Sequence, residues 1–250
     1  MTRPAPRLRT VLAAAVAIAA ALAAGPALAQ SLSIDLGGPQ ASATSRIIQL
    51  IALTTVLSVA PSILVMITSF TRFVVVLGFL RQALGTMQSP PNTVLVSLAM
   101  FLTAFVMAPT FEKAWETGIQ PVMDGHLDEI EGFERAVKPF HAFMSAHVRA
   151  QDLKLFMDLS RAKEVEKAED VPLKALIPAF MISELRRAFE IGFLIFLPFL
   201  IIDMVIASVL MSMGMMMIPP AMISLPFKLI FFVMVDGWYM VVGSLVQSYG

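Results

Sequence analysis

Residues 47–70 read IIQLIALTTVLSVAPSILVMITSF, 24 positions without a single charge. About 20 apolar residues are enough to cross the hydrocarbon core of a bilayer as a helix. Three further apolar runs follow at 93–111 (TVLVSLAMFLTAFVMAPTF), 191–211 (IGFLIFLPFLIIDMVIASVLM) and 222–246 (MISLPFKLIFFVMVDGWYMVVGSLV). Hydrophobic residues make up 58% of the chain and charged residues 14%, more apolar and less charged than a soluble domain. The expected fold is therefore an all-α membrane protein with about four long hydrophobic helices in two hairpins. Pro61 and Pro198, inside their runs, are expected to kink them.

The segments between the runs define the rest of the organisation. MTRPAPRLRT, an Ala-rich apolar stretch and Ala27-Leu28-Ala29 have the order of a secretory signal peptide over 1–29, with an uncleaved first anchor as the alternative. Residues 30–46 are Gly-, Pro- and Ser-rich and are expected to form a flexible segment. The first hydrophobic hairpin is assigned to 47–111 and the second to 175–250. Between them, 112–174 holds 13 of the 18 acidic and 9 of the 18 basic residues, which marks a charged extramembrane insert. Phe140, Phe143, Met144 and His147, then Leu153, Phe156 and Met157, recur at amphipathic helical spacing within it.

Arg72 and Arg81 lie between the first two runs with no acidic residue beside them, so that tip is expected to be cytoplasmic. The insert and the N-terminus are then periplasmic, and the turn of the second hairpin faces the cytoplasmic side. A net charge of zero gives no argument for nucleic acid or an acidic substrate. The absence of cysteine excludes disulfides, thiolate metal sites and a cysteine nucleophile. No phosphate-binding or hydrolase motif is present. His126, His141 and His147 lie in the insert without metal-ligand spacing, and no metal or cofactor is expected.

Three groups of residues stand out. Asp203 and Lys228 lie about 12 residues to either side of the turn of the second hairpin. At that spacing they share one height and can form a buried ion pair that holds register, or one step of a relay. In SELRRAFE, Glu184 with Arg187 and Arg186 with Glu190 have i,i+3 and i,i+4 spacing. These charges suit an interfacial anchor, a polar path or a subunit contact. The turn itself, MSMGMMMIPPAM, carries Met211, Met213, Met215, Met216 and Met217 ahead of Pro219 and Pro220. Thioethers are apolar and deformable, so the turn suits packing, a compliant seal or a soft-metal site.

Two long stretches carry a family resemblance. SFTRFVVVLGFLRQALGTMQSPPNTVLVSLAMFLTAFVMAP and LIPAFMISELRRAFEIGFLIFLPFLIIDMVIASVLMSMGMMMIPPAMISLPFKLIFFVMVDGW resemble the two halves of the FliP family of flagellar export-gate subunits. The equivalent subunit of virulence injectisomes shares these core motifs. The resemblance implies a non-enzymatic role. Copies of the chain, five in the family picture, join FliQ and FliR, with FlhA and FlhB nearby, in a channel for unfolded flagellar proteins at the inner membrane. It also implies that Met215, Met216 and Met217 form a gasket, that Glu184 has a role in assembly or gating, and that the assembled hairpins can stack above the bilayer. A small-solute or copper transporter is the competing reading of the same charges and thioethers.

Overall fold

The computed structural model describes residues 43–86, 88–161, 168–215 and 218–250. The expected signal peptide, most of the expected flexible segment, and Met216 and Met217 lie outside these residues. The described residues fall into two units, 43–55 and 56–250. In the first, residues of helix α1 (Ala43–Ile67) carry Thr54 and Thr55, whose hydroxyls donate to the carbonyls of Leu50 and Ile51 at 2.7 Å each. Such back-bonding lets a threonine sit in an apolar helix without an orphan hydroxyl.

The second unit is built of helices joined by turns and contains no strand among its described residues. The remainder of α1 leads to α2 (Phe70–Leu84) and α3 (Asn92–Ala114). A π-helical turn (Trp115–Ile119) carries α3 into the short α4 (Gln120–Met123). Next come α5 (Glu129–His147) and α6 (Ala150–Leu159), then the 40-residue α7 (Leu173–Ser212). Helices α8 (Pro220–Met234) and α9 (Gly237–Gln247) close the described chain. Among the described residues three helical stretches are long and apolar enough to cross a membrane, or four when α8 and α9 count as one bent span. The expected all-α class with about four hydrophobic helices is what the chain forms.

The segment expected to be a tip between two spans is itself a helix. Its sequence, FTRFVVVLGFLRQAL, is apolar almost all round, and such a helix is stable only when surrounded. Phe73, Val76 and Leu77 of α2 pack with Leu95, Ala99 and Leu102 of α3, Ala188 of α7 and Leu245 of α9. One turn further on, Leu80, Ala83 and Leu84 meet Phe199 of α7 and Phe232 of α8. A third cluster joins Met144 of α5 to Val171 and to Leu176 and Phe180 of α7, with Phe143, Leu153 and Met157 against it. The two amphipathic faces read from the insert thus cover the first part of α7.

Two departures concern boundaries and bends. Helix α3 runs on past 112 into α4, across the expected edge of the insert. The π-helical turn comes close to α5 there. A Cβ at Gly118 would lie 2.5 Å from the Gly132 carbonyl, so only glycine permits this approach. One sharp break among the described apolar helices is not at a proline. Helices α8 and α9 meet at 63°, and Asp236, between them, is left-handed with φ 50° and ψ 52°. Gly237 then passes under Phe232, where a Cβ would lie 2.2 Å from the ring.

Candidate functional site

A fully enclosed cation–anion pair lies between α2 and α7. Arg72 and Glu184 are both 0% exposed. Helix α7 turns Phe180, Ser183, Glu184 and Ala188 toward its neighbours, while Arg186 and Glu190 face outward. This facing decides the pairing. Glu184 does not pair with Arg187, its i,i+3 neighbour, but with Arg72, 112 positions away. Arg72 Nε donates to Glu184 Oε2 at 2.8 Å, and Nη2 donates to Oε1 in a second, parallel bond. The bidentate fork is the strongest geometry for guanidinium and carboxylate.

The residues after α9 complete the enclosure. Arg72 Nη1 donates to the Ser248 hydroxyl at 2.7 Å and to the Ser248 carbonyl at 3.3 Å. The Tyr249 ring lies under the guanidinium, 3.7 Å from Cζ to the ring centroid. The Tyr249 hydroxyl donates to Glu184 Oε2. Burial, with the negative charge of Glu184 beside it, pushes that hydroxyl well above the usual phenol range, so it stays protonated and remains a donor. Arg72 therefore does not serve as an exposed basic residue at a tip. Of the two arginines, only Arg81 has a more open setting, where its guanidinium donates to Asn92 and to the Pro90 carbonyl.

The second pair is the one expected across the last hairpin. Lys228 Nζ donates to Asp203 Oδ2 at 2.7 Å and to the Ala83 carbonyl at 3.2 Å. Ser224 donates to Asp203 Oδ1 at 2.6 Å. The lysine side chain is 8% exposed but the aspartate side chain is 43% exposed, so the pair is buried at one end only. The bond to Ala83 ties the last hairpin to the end of α2.

The outer charges of α7 and the methionine turn stay apart from these centres. Arg186 and Glu190 form an i,i+4 pair at 2.9 Å with both side chains more than half exposed. Met211, Met213 and Met215 are exposed at the turn between α7 and α8, where Gly214 takes φ 74°. Pro219 and Pro220 start α8, where a missing N–H costs nothing. His141 Nε2 lies 2.7 Å from the Val171 carbonyl, and His147 Nδ1 2.7 Å from the Phe143 carbonyl. Both are packing histidines of the insert.

The Arg72–Glu184 pair and its Ser248 and Tyr249 lining were not expected from sequence spacing. One signal for them is present: an arginine amid FVVVLGFL must find an anion or remain an uncompensated charge.

Long apolar helices joined by ion pairs define, among the described residues, a helical membrane protein. The FliP family model matches residues 53–245. The flagellar biosynthetic protein FliP of Caulobacter vibrioides is 57% identical over 97% of this chain and 91% of that protein. The proteins of the same name from Bacillus subtilis and Rhizobium meliloti are 55% and 52% identical, over 82% and 90% of this chain and 93% and 94% of theirs. The chain belongs to the FliP family.

Proposed function

We propose that this chain is a non-enzymatic core subunit of the flagellar type III protein export gate. Copies of it, five in the family picture, join FliQ and FliR around a channel for unfolded flagellar proteins in the inner membrane, with FlhA and FlhB nearby. The flagellar names of the relatives favour this reading over an injectisome subunit. The two hairpins, 47–111 and 175–250, flank a periplasmic insert at 112–174.

The observation that carries the proposal is the length and exposure of α7. Its 40 residues extend about 60 Å, twice the thickness of a hydrocarbon core. Ile182, Phe189, Leu194, Ile201, Val209 and Met211 along it are exposed in the single chain, and they span about 44 Å of helix. Lipid cannot cover the whole length, and water is a poor solvent for what remains. Neighbouring subunits are the natural cover, which favours an assembly that rises beyond the bilayer.

The methionine turn fits the centre of such an assembly. Met211 and Met213 are more than half exposed within one chain, and Met215 is 38% exposed. Repeated around an axis, they and Met216 and Met217 form a soft apolar ring that closes on itself and yields to a passing polypeptide.

The test is purification of the tagged chain in mild detergent from cells carrying its FliQ and FliR partners. Native mass spectrometry is expected to show several copies bound to both partners, and a monomer free of either refutes the proposal. In the same complex, Met215, Met216 and Met217 changed together to Ala is expected to increase small-ion leakage. An unchanged leak removes the gasket role.

A further inference from the structure

Tyr249 stands where three parts of the chain meet. Its hydroxyl reaches Glu184 of α7 and its ring lies under Arg72 of α2, 5.7 Å from the ring of Phe73. Its other side meets the end of α5. The ring stacks with Phe143 at 5.9 Å and lies 5.1 Å from the His147 imidazole, while the Tyr249 carbonyl is 3.4 Å from His147 Nε2. The insert grips α7 at the adjacent position as well. Ser183 donates to Asp152 Oδ2 at 2.7 Å and accepts from the Arg149 backbone N–H at 3.0 Å. The consecutive residues Ser183 and Glu184 are thus held, one by the corner between α5 and α6, the other by Tyr249 resting on α5.

We infer that Tyr249 is a positioning residue that couples the charged insert to the Arg72–Glu184 pair, so that α5 and the middle of α7 move as one body. The physical reason is that its two ends do different work. The hydroxyl and one ring face satisfy and cover the ion pair, and the ring's contacts with Phe143 and His147, together with its carbonyl, anchor α5. A displacement of the insert therefore pulls the phenol off Glu184 and uncovers Arg72, which costs too much for the two to move separately. If Glu184 takes part in assembly or gating of the proposed export gate, as the family resemblance implies, a contact made at the insert reaches it through Tyr249.

The experiment compares Tyr249→Phe and Tyr249→Ala with the parent chain by hydrogen exchange, in full-length protein in detergent. Tyr249→Ala is expected to speed exchange about tenfold in two separate places, 143–148 of α5 and 180–188 of α7. Tyr249→Phe keeps the ring contacts and loses only the hydroxyl bond. It is expected to speed exchange at 180–188 and leave 143–148 protected. A packing defect of similar size elsewhere, Phe199→Ala, is expected to leave 143–148 as in the parent. Tyr249→Ala with faster exchange confined to the residues around 249 overturns the inference, as does Phe behaving like Ala at both places. These readouts concern the chain itself. Failure of the parent to bind FliQ and FliR refutes the proposed function and leaves this result standing.

Discussion

Replacing Glu184 by Ala is expected to destabilise the chain severely, and replacing its partner as well is expected to restore most of the loss. In the parent, Glu184 accepts two bonds from Arg72 and one from Tyr249, and neither member of the ion pair touches solvent. Removing the carboxylate leaves Nε, Nη2 and the tyrosine hydroxyl without acceptors, at about 1–3 kcal/mol for each buried donor. These costs overlap, because one uncompensated guanidinium underlies two of them. The whole is bounded by the cost of breaking a buried pair, about 3–5 kcal/mol. At about 2–4 °C per kcal/mol for a chain of this size, Tm falls by roughly 6–20 °C. Arg72→Met combined with Glu184→Leu removes both charges and keeps apolar volume. Its stability is expected within about 1 kcal/mol of the parent, less the lost tyrosine bond. The assay is thermal unfolding of the detergent-solubilised chain, followed by far-UV circular dichroism. Where Glu184→Ala does not accumulate, Glu184→Gln serves, since its amide oxygen still accepts one arginine bond. A single variant that melts within about 2 °C of the parent refutes the reasoning. So does a double variant that melts no higher than the single one.

Two other predictions follow from the same geometry. Asp203→Asn is expected to cost less than Glu184→Ala, about 1 kcal/mol in the same melt, because water already reaches the aspartate. It is also expected to reduce recovery of the assembled complex, and adding Lys228→Met to it should restore part of that recovery. No restoration means that the two residues do not act as a pair. At the break between α8 and α9, Gly237→Ala forces a methyl into the Phe232 ring and is expected to cost about 1–3 kcal/mol, whereas Asp236→Gly relieves the left-handed backbone and is neutral or slightly stabilising. Equal melting of both variants with the parent dismisses the close-contact account.

The Asp203–Lys228 pair was legible because both residues lie in one hairpin. When two helices fold back through a turn marked by Pro219 and Pro220, equal distance from the turn means equal height. The faces of α5 and α6 were legible for a similar reason, since helical spacing is a local property. Glu184 shows where local reasoning stops. Its i,i+3 neighbour Arg187 offered a partner, yet the rotation of α7 against α2 turned the carboxylate inward. A short exposed pair contributes little, so it could not compete with the need of Arg72 for an anion. The role of α2 was hidden likewise. Fifteen residues between two longer apolar runs look like a connection until the helices that enclose them are known.

The sequence by itself determined that this chain is helical, that it carries about four apolar spans, and which residues mark the turn of the last hairpin. Those properties depend on run length, proline position and residue type, and each can be read within one segment. Only the tertiary structure decided that Arg72 is enclosed, that Glu184 is its partner, and that Ser248 and Tyr249 close the site against α5. That choice depends on how α2, α5, α7 and the residues after α9 are rotated against one another. The rotation is set by packing across more than a hundred positions of sequence, which no local pattern encodes.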